Sequence, residues 1–309
     1  MDAALIELIG EDDSFPISGI GFSQAQGIKL AEDPEEIFDM AFERSTIPAG
    51  IGGRFGKTDI PVRHMQIALN VSEYIEGEVD SGQIDAVVSR LRRLFGPVLK
   101  PKRVKWQYTP PGGDPRWLWI YLSSQIKVTP TTDWHITHYV RAVVNAVAVE
   151  PRYESAPHVV ETPAHAGGEV TYWLPVWNPT DQDGWIEWTL DPGPGPAEFT
   201  FADFSFGQEQ DIDVTWTPGQ HAARTIPTPE ISVQWSVMSV RSGNDPYVAA
   251  DLSNADGQMG GVYPLFPIPP HTGSEDDQVL LPVTINGPAG AKVRLEIRRF
   301  WSAESGVDS

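Results

Sequence analysis

Cysteine is absent from the 309 residues, which excludes a disulfide scaffold, thiolate zinc sites and cysteine nucleophiles. Positive charge is scarce: 22 Lys and Arg stand against 42 Asp and Glu, a formal net charge of −20. Phosphate neutralisation needs a basic surface, so sequence-specific nucleic-acid binding is not expected. No apolar run approaches the length of a membrane span, which predicts no membrane insertion. The start of the chain, Met1 to Asp13, lacks the basic head and long apolar core of a cleaved signal peptide, which predicts a protein made in a cytoplasm and not exported by a cleaved signal. Helical periodicity is rare as well; one segment carries it convincingly.

What is present is turn-forming and aromatic. The chain has 28 Gly, 28 Pro and 11 Trp, with 40% hydrophobic residues. That mixture predicts a mainly β protein of many short strands with ample core material. A chain of this length suits two cores better than one.

The most informative stretch runs from Ile60 to Ser123. Ile67, Leu69 and Val71 alternate as on a half-buried strand. Ile84, Val87, Val88, Leu91 and Phe95 share one face at a period of 3.6, predicting a helix. Asp80 or Ser81 would cap its start, and Gly96-Pro97 would stop it. Two strands are expected next, over 103–109 and 116–124, the second placing Trp117, Trp119 and Tyr121 on one face. One helix on an antiparallel sheet is the economical reading.

Upstream, Thr46 to Thr58 comes close to a phosphate-binding GxxxxGK[ST] loop, but the first glycine would have to stand at Ile51, and a strand follows instead of a helix. The expectation is a flexible Gly-rich loop between two strands. His135 and His138 are three apart; on a strand they point to opposite faces, so no metal site is expected. The run 138–149 alternates weakly and predicts a bent strand or one buried on both faces.

Glu150 to Pro157 reads as a boundary. The organisation expected is an N-terminal β-domain over 1–150, a linker over 151–158 and a C-terminal β-sandwich over 159–309. Short strands are expected at 198–201, 212–216, 231–237, 280–285 and 291–300, with a tail from Trp301 on.

Charge is uneven between the halves. Residues 153–291 hold only Arg224 and Arg241 against nineteen acids, a net of −17, whereas Arg90, Arg92, Arg93, Lys100, Lys102, Arg103 and Lys105 concentrate seven of the 22 cations. That cluster is a solvated helix end, a contact with an acidic surface on a neighbouring subunit, or part of the wall of a passage.

Chemistry is thinly signalled. Asp181-Gln-Asp183-Gly184 is a fragment of a calcium loop without its closing Glu. Glu187 and Asp191 could pair as in a glycosidase, as could many acids here. There is no GxSxG and no HExxH, so neither an enzyme nor a cofactor is expected. Trp173, Trp177 and Trp185 are candidates for a glycan-stacking platform, with core filling as the ordinary alternative.

The order of elements carries a resemblance. A Gly-rich loop (Ile47 to Gly53), an Arg63-containing strand, a helix from Ile84 to Phe95 ending in Gly-Pro, and an Arg116-Trp-Leu-Trp119 strand precede a Pro-containing linker and a sandwich. The end of the chain adds Pro264 to Thr272, Leu281 to Gly287 and Ala289 to Ser302. In this layout the chain resembles the distal tail protein of long-tailed phages (siphophages), in particular the minor tail protein form of phages of actinobacteria. The resemblance implies an N-terminal belt domain, a β-barrel or sheet with one helix, that closes into a six-fold ring. It implies a C-terminal galectin-like β-sandwich that projects outward and docks other proteins, or occasionally a saccharide. The implied partners are further copies of the chain (a homo-hexamer), the tail tube protein, tail-tip and other minor tail proteins, and the tape measure protein. The implied place is the virion tail tip, after assembly in the host cytoplasm, around a channel for DNA. A carbohydrate-binding module protein is the first alternative and a glycoside hydrolase the second.

Overall fold

The computed structural model describes residues 4–19, 27–31, 43–48, 53–72, 82–130, 133–137, 139–239 and 245–305. The chain is mainly β, and every described strand pairing is antiparallel. It divides into two compact units, one of residues 1–155 with 301–306 and one of 156–300 with 307–309.

The first unit contains β1 (Leu5–Ile9), β2 (Ser14–Ser18), β3 (Ile28–Leu30), β4 (Glu43–Pro48), β5 (Gly53–Asp59) and β6 (Arg63–Ser72), then α1 (Gly82–Phe95). After these come β7 (Val104–Thr109), β8 (Arg116–Leu122), β9 (Lys127–Thr129), the single turn α2 (Trp134–Thr137), and β10 (Tyr139–Ala148). Its sheet runs β2-β1-β7-β8-β10-β6-β3, with β9 also on β10 and the β4–β5 hairpin apart. The alternation expected for β6 is found: Met65, Ile67, Leu69 and Val71 are buried. The same inward row continues through Leu118, Ile120 and Leu122 on β8 and through Val104 and Trp106 on β7.

The helix lies where its periodicity puts it. Ile84, Val88, Leu91, Leu94 and Phe95 are buried, and α1 packs beside β6. Gly96 adopts φ +71, its N–H donating to the Arg92 carbonyl (3.0 Å) and Lys102 N–H to that of Phe95 (2.8 Å), which closes the helix end. The candidate caps Asp80 and Ser81 lie outside the described residues.

Four local expectations change. The Gly56-Lys57-Thr58 stretch lies inside β5, paired with β4, so Gly53 and Gly56 belong to a strand rather than to a loop, while residues 49–52 of the expected loop lie outside the described residues. β10 is buried on one face only, through Val140, Ala142, Val144, Ala146 and Ala148; its outer residues are half-sheltered by β6 on one side and β8 and β9 on the other. The strand expected at His135 is the α2 turn, and His138 lies outside the described residues. Trp301 is no tail: it ends a strand and is 5% exposed.

The chain enters the second unit within β11 (Tyr153–Glu161). There follow β12 (Gly168–Val176), β13 (Ile186–Asp191), β14 (Glu198–Ala202), α3 (Glu209–Ile212), β15 (Thr225–Pro227), β16 (Trp235–Val237), β17 (Tyr247–Ala249), β18 (Val279–Gly287) and β19 (Lys292–Trp301). One sheet is β12-β18-β14-β15; β17, β16, β13, β19 and β11 stand in that order in the other. Between them Leu174, Phe199, Phe201, Val283 and Ile285 meet Trp188, Leu190, Trp235, Val293 and Leu295 in one core, with the Trp188 and Phe201 ring centroids 5.5 Å apart. This is a β-sandwich. The strand expected over 212–216 is absent: Asp213 accepts from Thr215 N–H (2.8 Å) and Oγ1–H (2.7 Å), which folds the chain into a turn instead.

Candidate functional site

The cationic residues of 90–105 do not act as one patch; the fold divides them by their partners. Arg90, on α1, forms a two-pronged pair with Asp13 at the β1–β2 turn and covers the Phe15 ring at 4.2 Å. The Arg90 hydrogen bond, against an opposing effect of burial, holds the Asp13 carboxyl below its usual range. Arg90 is thus a strut between helix and sheet. Lys102 reaches Glu11 and Asp12, each at 3.5 Å.

Arg103 and Lys105 are taken up by the aromatic row of β8. The Arg103 guanidinium lies 3.4 Å from the Trp119 ring centre, and the Lys105 ammonium 4.2 Å from Trp117 and 5.2 Å from Trp119. Burial, with the Arg103 charge, pushes the Lys105 pKa down, while Glu154 opposes. Such stacked cations shield an aromatic face from water while keeping it positive.

Arg103 is exposed despite its ring contact, and Arg92, Arg93 and Lys100 are exposed as well. Arg92 and Arg93 border a groove of about 1030 Å³ between the helix end and the β1–β2 turn. Its floor is apolar, with Leu94, Leu122 and Ile126 all buried, and Glu11 and Asp12 stand on its rim. Leu99 projects at its mouth, 101% exposed. The C-terminus of α1 is thus flanked by outward arginines and a projecting leucine.

In the second unit the three candidate tryptophans are placed differently. Trp173 on β12 is 59% exposed, beside the Thr171–Thr284 hydroxyl pair (2.8 Å). Trp177 has the His158 ring at 4.0 Å and the Arg299 guanidinium at 5.0 Å. Trp185 is half-buried at the start of β13, on the other sheet. Glu187 and Asp191 stand four residues apart on β13, roughly 13 Å, beyond the spacing at which two glycosidase carboxylates cooperate. Asp191 accepts from Gly193 N–H (2.9 Å), a turn contact. Among the described residues, no three His, Asp or Glu gather as metal ligands.

Sequence reasoning missed two buried arginines, Arg63 and Arg116, 3% and 4% exposed. Arg116 had a visible signal: it shares the parity of Leu118, Ile120 and Leu122, the buried row of β8. It missed Asp13 as well, because the counter-charge of Arg90 lies 77 residues away in the chain.

No protein-family model matches the sequence, and no curated protein does. Among solved structures the chain is similar to the Dit protein of phage SPP1, described as a paradigm of the hub adsorption apparatus in phages that infect Gram-positive bacteria. The TM-score is 0.53 at 8% identity, over 94% of this chain and 98% of that one. Chains of the phage p2 baseplate in its activated conformation, with Ca and with Sr, give TM-scores of 0.45 and 0.46 at 11% identity, over 96% of this chain and 98% of theirs. At such identities the fold is what is shared, and it is the fold the resemblance implied.

Proposed function

We propose that the protein is a structural component of a phage tail tip, a hub that joins the tail tube to tail-tip or baseplate proteins. One observation carries this reading: the correspondence with the SPP1 Dit fold runs end to end, over 94% of this chain and 98% of that one. Both units and their order are therefore included, not one common sandwich. In this role the first unit closes into a six-fold ring around a channel, and the second presents a surface to neighbouring tail proteins. Arg92, Arg93 and Lys100 contribute to contacts between copies, since α1 and its following loop leave them outward while Arg90, Lys102, Arg103 and Lys105 are engaged within the unit. The scarcity of positive charge supports a channel through which DNA passes without sticking, because like charges repel across a lumen.

The test is particle mass by light scattering, with negative-stain images of the same fraction, for the protein alone and with its tail tube protein. The expected result is a six-fold multiple of 34.0 kDa, seen as rings with an open centre. A monomer under both conditions would overturn the reading.

A further inference from the structure

β19 does not end where the second unit ends. It leaves that unit at Phe300, and Trp301 onward belongs to the first unit. There the Trp301 indole N–H donates to Ser155 Oγ (2.9 Å). The guanidinium of Arg116 lies over the same indole, 3.6 Å from the ring centre, and its Nη1 donates to the Ala303 carbonyl (3.1 Å). Beside Ser155, the fully buried Tyr153 carries the guanidinium of Arg63 at 5.1 Å from its ring. Burial pushes the Tyr153 phenol above its usual range, Arg63 opposes this, and the Glu304 charge adds to it.

A buried guanidinium is tolerated only where rings and carbonyl oxygens replace the water it has lost. Arg116 stands in the inward row of β8, where every other member is apolar. The indole and carbonyl that cover it arrive from 185 and 187 residues further along the chain, after the whole second unit. Without that segment the buried Arg116 guanidinium loses the Trp301 ring over its face and the Ala303 carbonyl.

We propose that residues 301–305 are a strap that completes the first unit, so that this unit reaches its final stability only when the strap has docked on it. Where the first unit builds a ring, chains that stop before residue 301 would then enter it poorly, and the strap would act as a check that the second unit has been made. That consequence rests on the tail-hub reading; the strap itself does not, and its test needs no ring.

The test is hydrogen exchange by mass spectrometry on four proteins compared with the full chain: one ending at Phe300, one ending at Ser305, Trp301→Ala and Trp301→Phe. In the chain ending at Phe300 and in Trp301→Ala, peptides from β6, β8 and β10 should lose protection, on the order of 100-fold, as for removal of a buried tryptophan. Peptides from β12, β14 and β18 should be unchanged. The chain ending at Ser305 should match the full chain, and Trp301→Phe, which keeps a ring for Arg116 but loses the bond to Ser155, should fall between. Unchanged protection of β6, β8 and β10, or equal loss in both units, would overturn the proposal. If the chain ending at Phe300 does not fold, the graded pair at Trp301 decides alone, by the same two criteria.

Discussion

Asn178 is fully buried just after β12, and both ends of its amide are used. Nδ2 donates to the carbonyls of Gln182 (2.8 Å), Ile268 (3.0 Å) and Pro269 (3.0 Å), while Oδ1 accepts from Thr180 N–H (3.2 Å) and Oγ1–H (2.8 Å). The sequence marks a turn at Asn178-Pro179 but gives no sign that the residue also pins a segment ninety positions away. Asn178→Ala should cost about 3 kcal/mol of second-unit stability, because several buried groups lose partners together. Asn178→Asp should be at least as harmful, since it aims a carboxylate at three carbonyl oxygens; urea unfolding of both variants checks this. Asp13 offers a pH-resolved test. Its carboxyl is held low chiefly by the Arg90 hydrogen bond, so the stabilisation is fully present above the unfolded Asp value of about 3.9 and is lost as pH falls through the lower folded value. The pair is about a third exposed, which limits its worth to roughly 1 kcal/mol. The stability difference between wild type and Asp13→Asn should therefore hold from pH 7 to about 5 and shrink below about 4. A difference independent of pH would show that the aspartate acts through its shape and not its charge.

At the scale of elements, the β13–β19 pair places Glu187 directly opposite Glu296. Burial, then the Glu296 charge, raises the Glu187 pKa, with Arg294 and Arg298 opposing. Folded Glu187 holds its proton to higher pH than the unfolded chain does, so its contribution is most favourable below the unfolded value of about 4.3 and is lost as pH rises through the folded value. Glu187→Gln should raise the melting temperature of the second unit at pH 7 and leave it unchanged near pH 4; a loss at pH 7 would count against this account. At the end of α1, a Cβ on Gly96 would stand 3.2 Å from both the Lys100 carbonyl oxygen and the Lys102 nitrogen, at φ +71. Gly96→Ala should cost about 1–2 kcal/mol, seen as a lower midpoint for the first unit alone. Elements of this kind were legible where one periodicity ran unopposed: α1 and β6 bury the face their spacing predicts, and the β8 aromatics share one face as expected, although it is the opposite row that is buried. Legibility failed where polar side chains redirected the backbone. The alternation of Ile212 to Trp216 looks like a strand, but the Asp213 carboxylate captures Thr215 and bends the chain. It failed also for β10, whose inward row is largely alanine, too small to stand out against the valines on its other face.

At the scale of the molecule, the mainly β character and the sandwich could be read from Gly, Pro and Trp content and strand spacing, because those patterns are local. The placement of Trp301 in the first unit could not, since only pairing across the whole chain decides which core a terminal strand completes. Nor could the division of the cationic cluster, which depends on Glu11, Asp12, Asp13 and the β8 indoles, all distant in sequence. That division makes the charge argument sharper than the bare count of cations. Arg92 and Arg93 point outward from a chain of net charge −20, so a second copy is itself a suitable acidic partner. Exposed ion pairs across such an interface are individually weak and screened over about 8–10 Å at ordinary salt. In the proposed ring, reversing both residues to Glu replaces attraction by repulsion and should raise the concentration for half-assembly roughly ten-fold or more, with the gap between wild type and variant narrowing at high salt. The melting temperature of the first unit should move little, because neither residue supports its core. Arg90→Gln should do the opposite, weakening the first unit through the loss of its Asp13 strut while leaving assembly of the folded fraction near normal. Sedimentation velocity at two salt concentrations, paired with thermal melts, separates the two. Assembly unchanged by the double reversal would remove Arg92 and Arg93 from the interface and shift attention to the Leu99 loop and the apolar floor of the groove beside it.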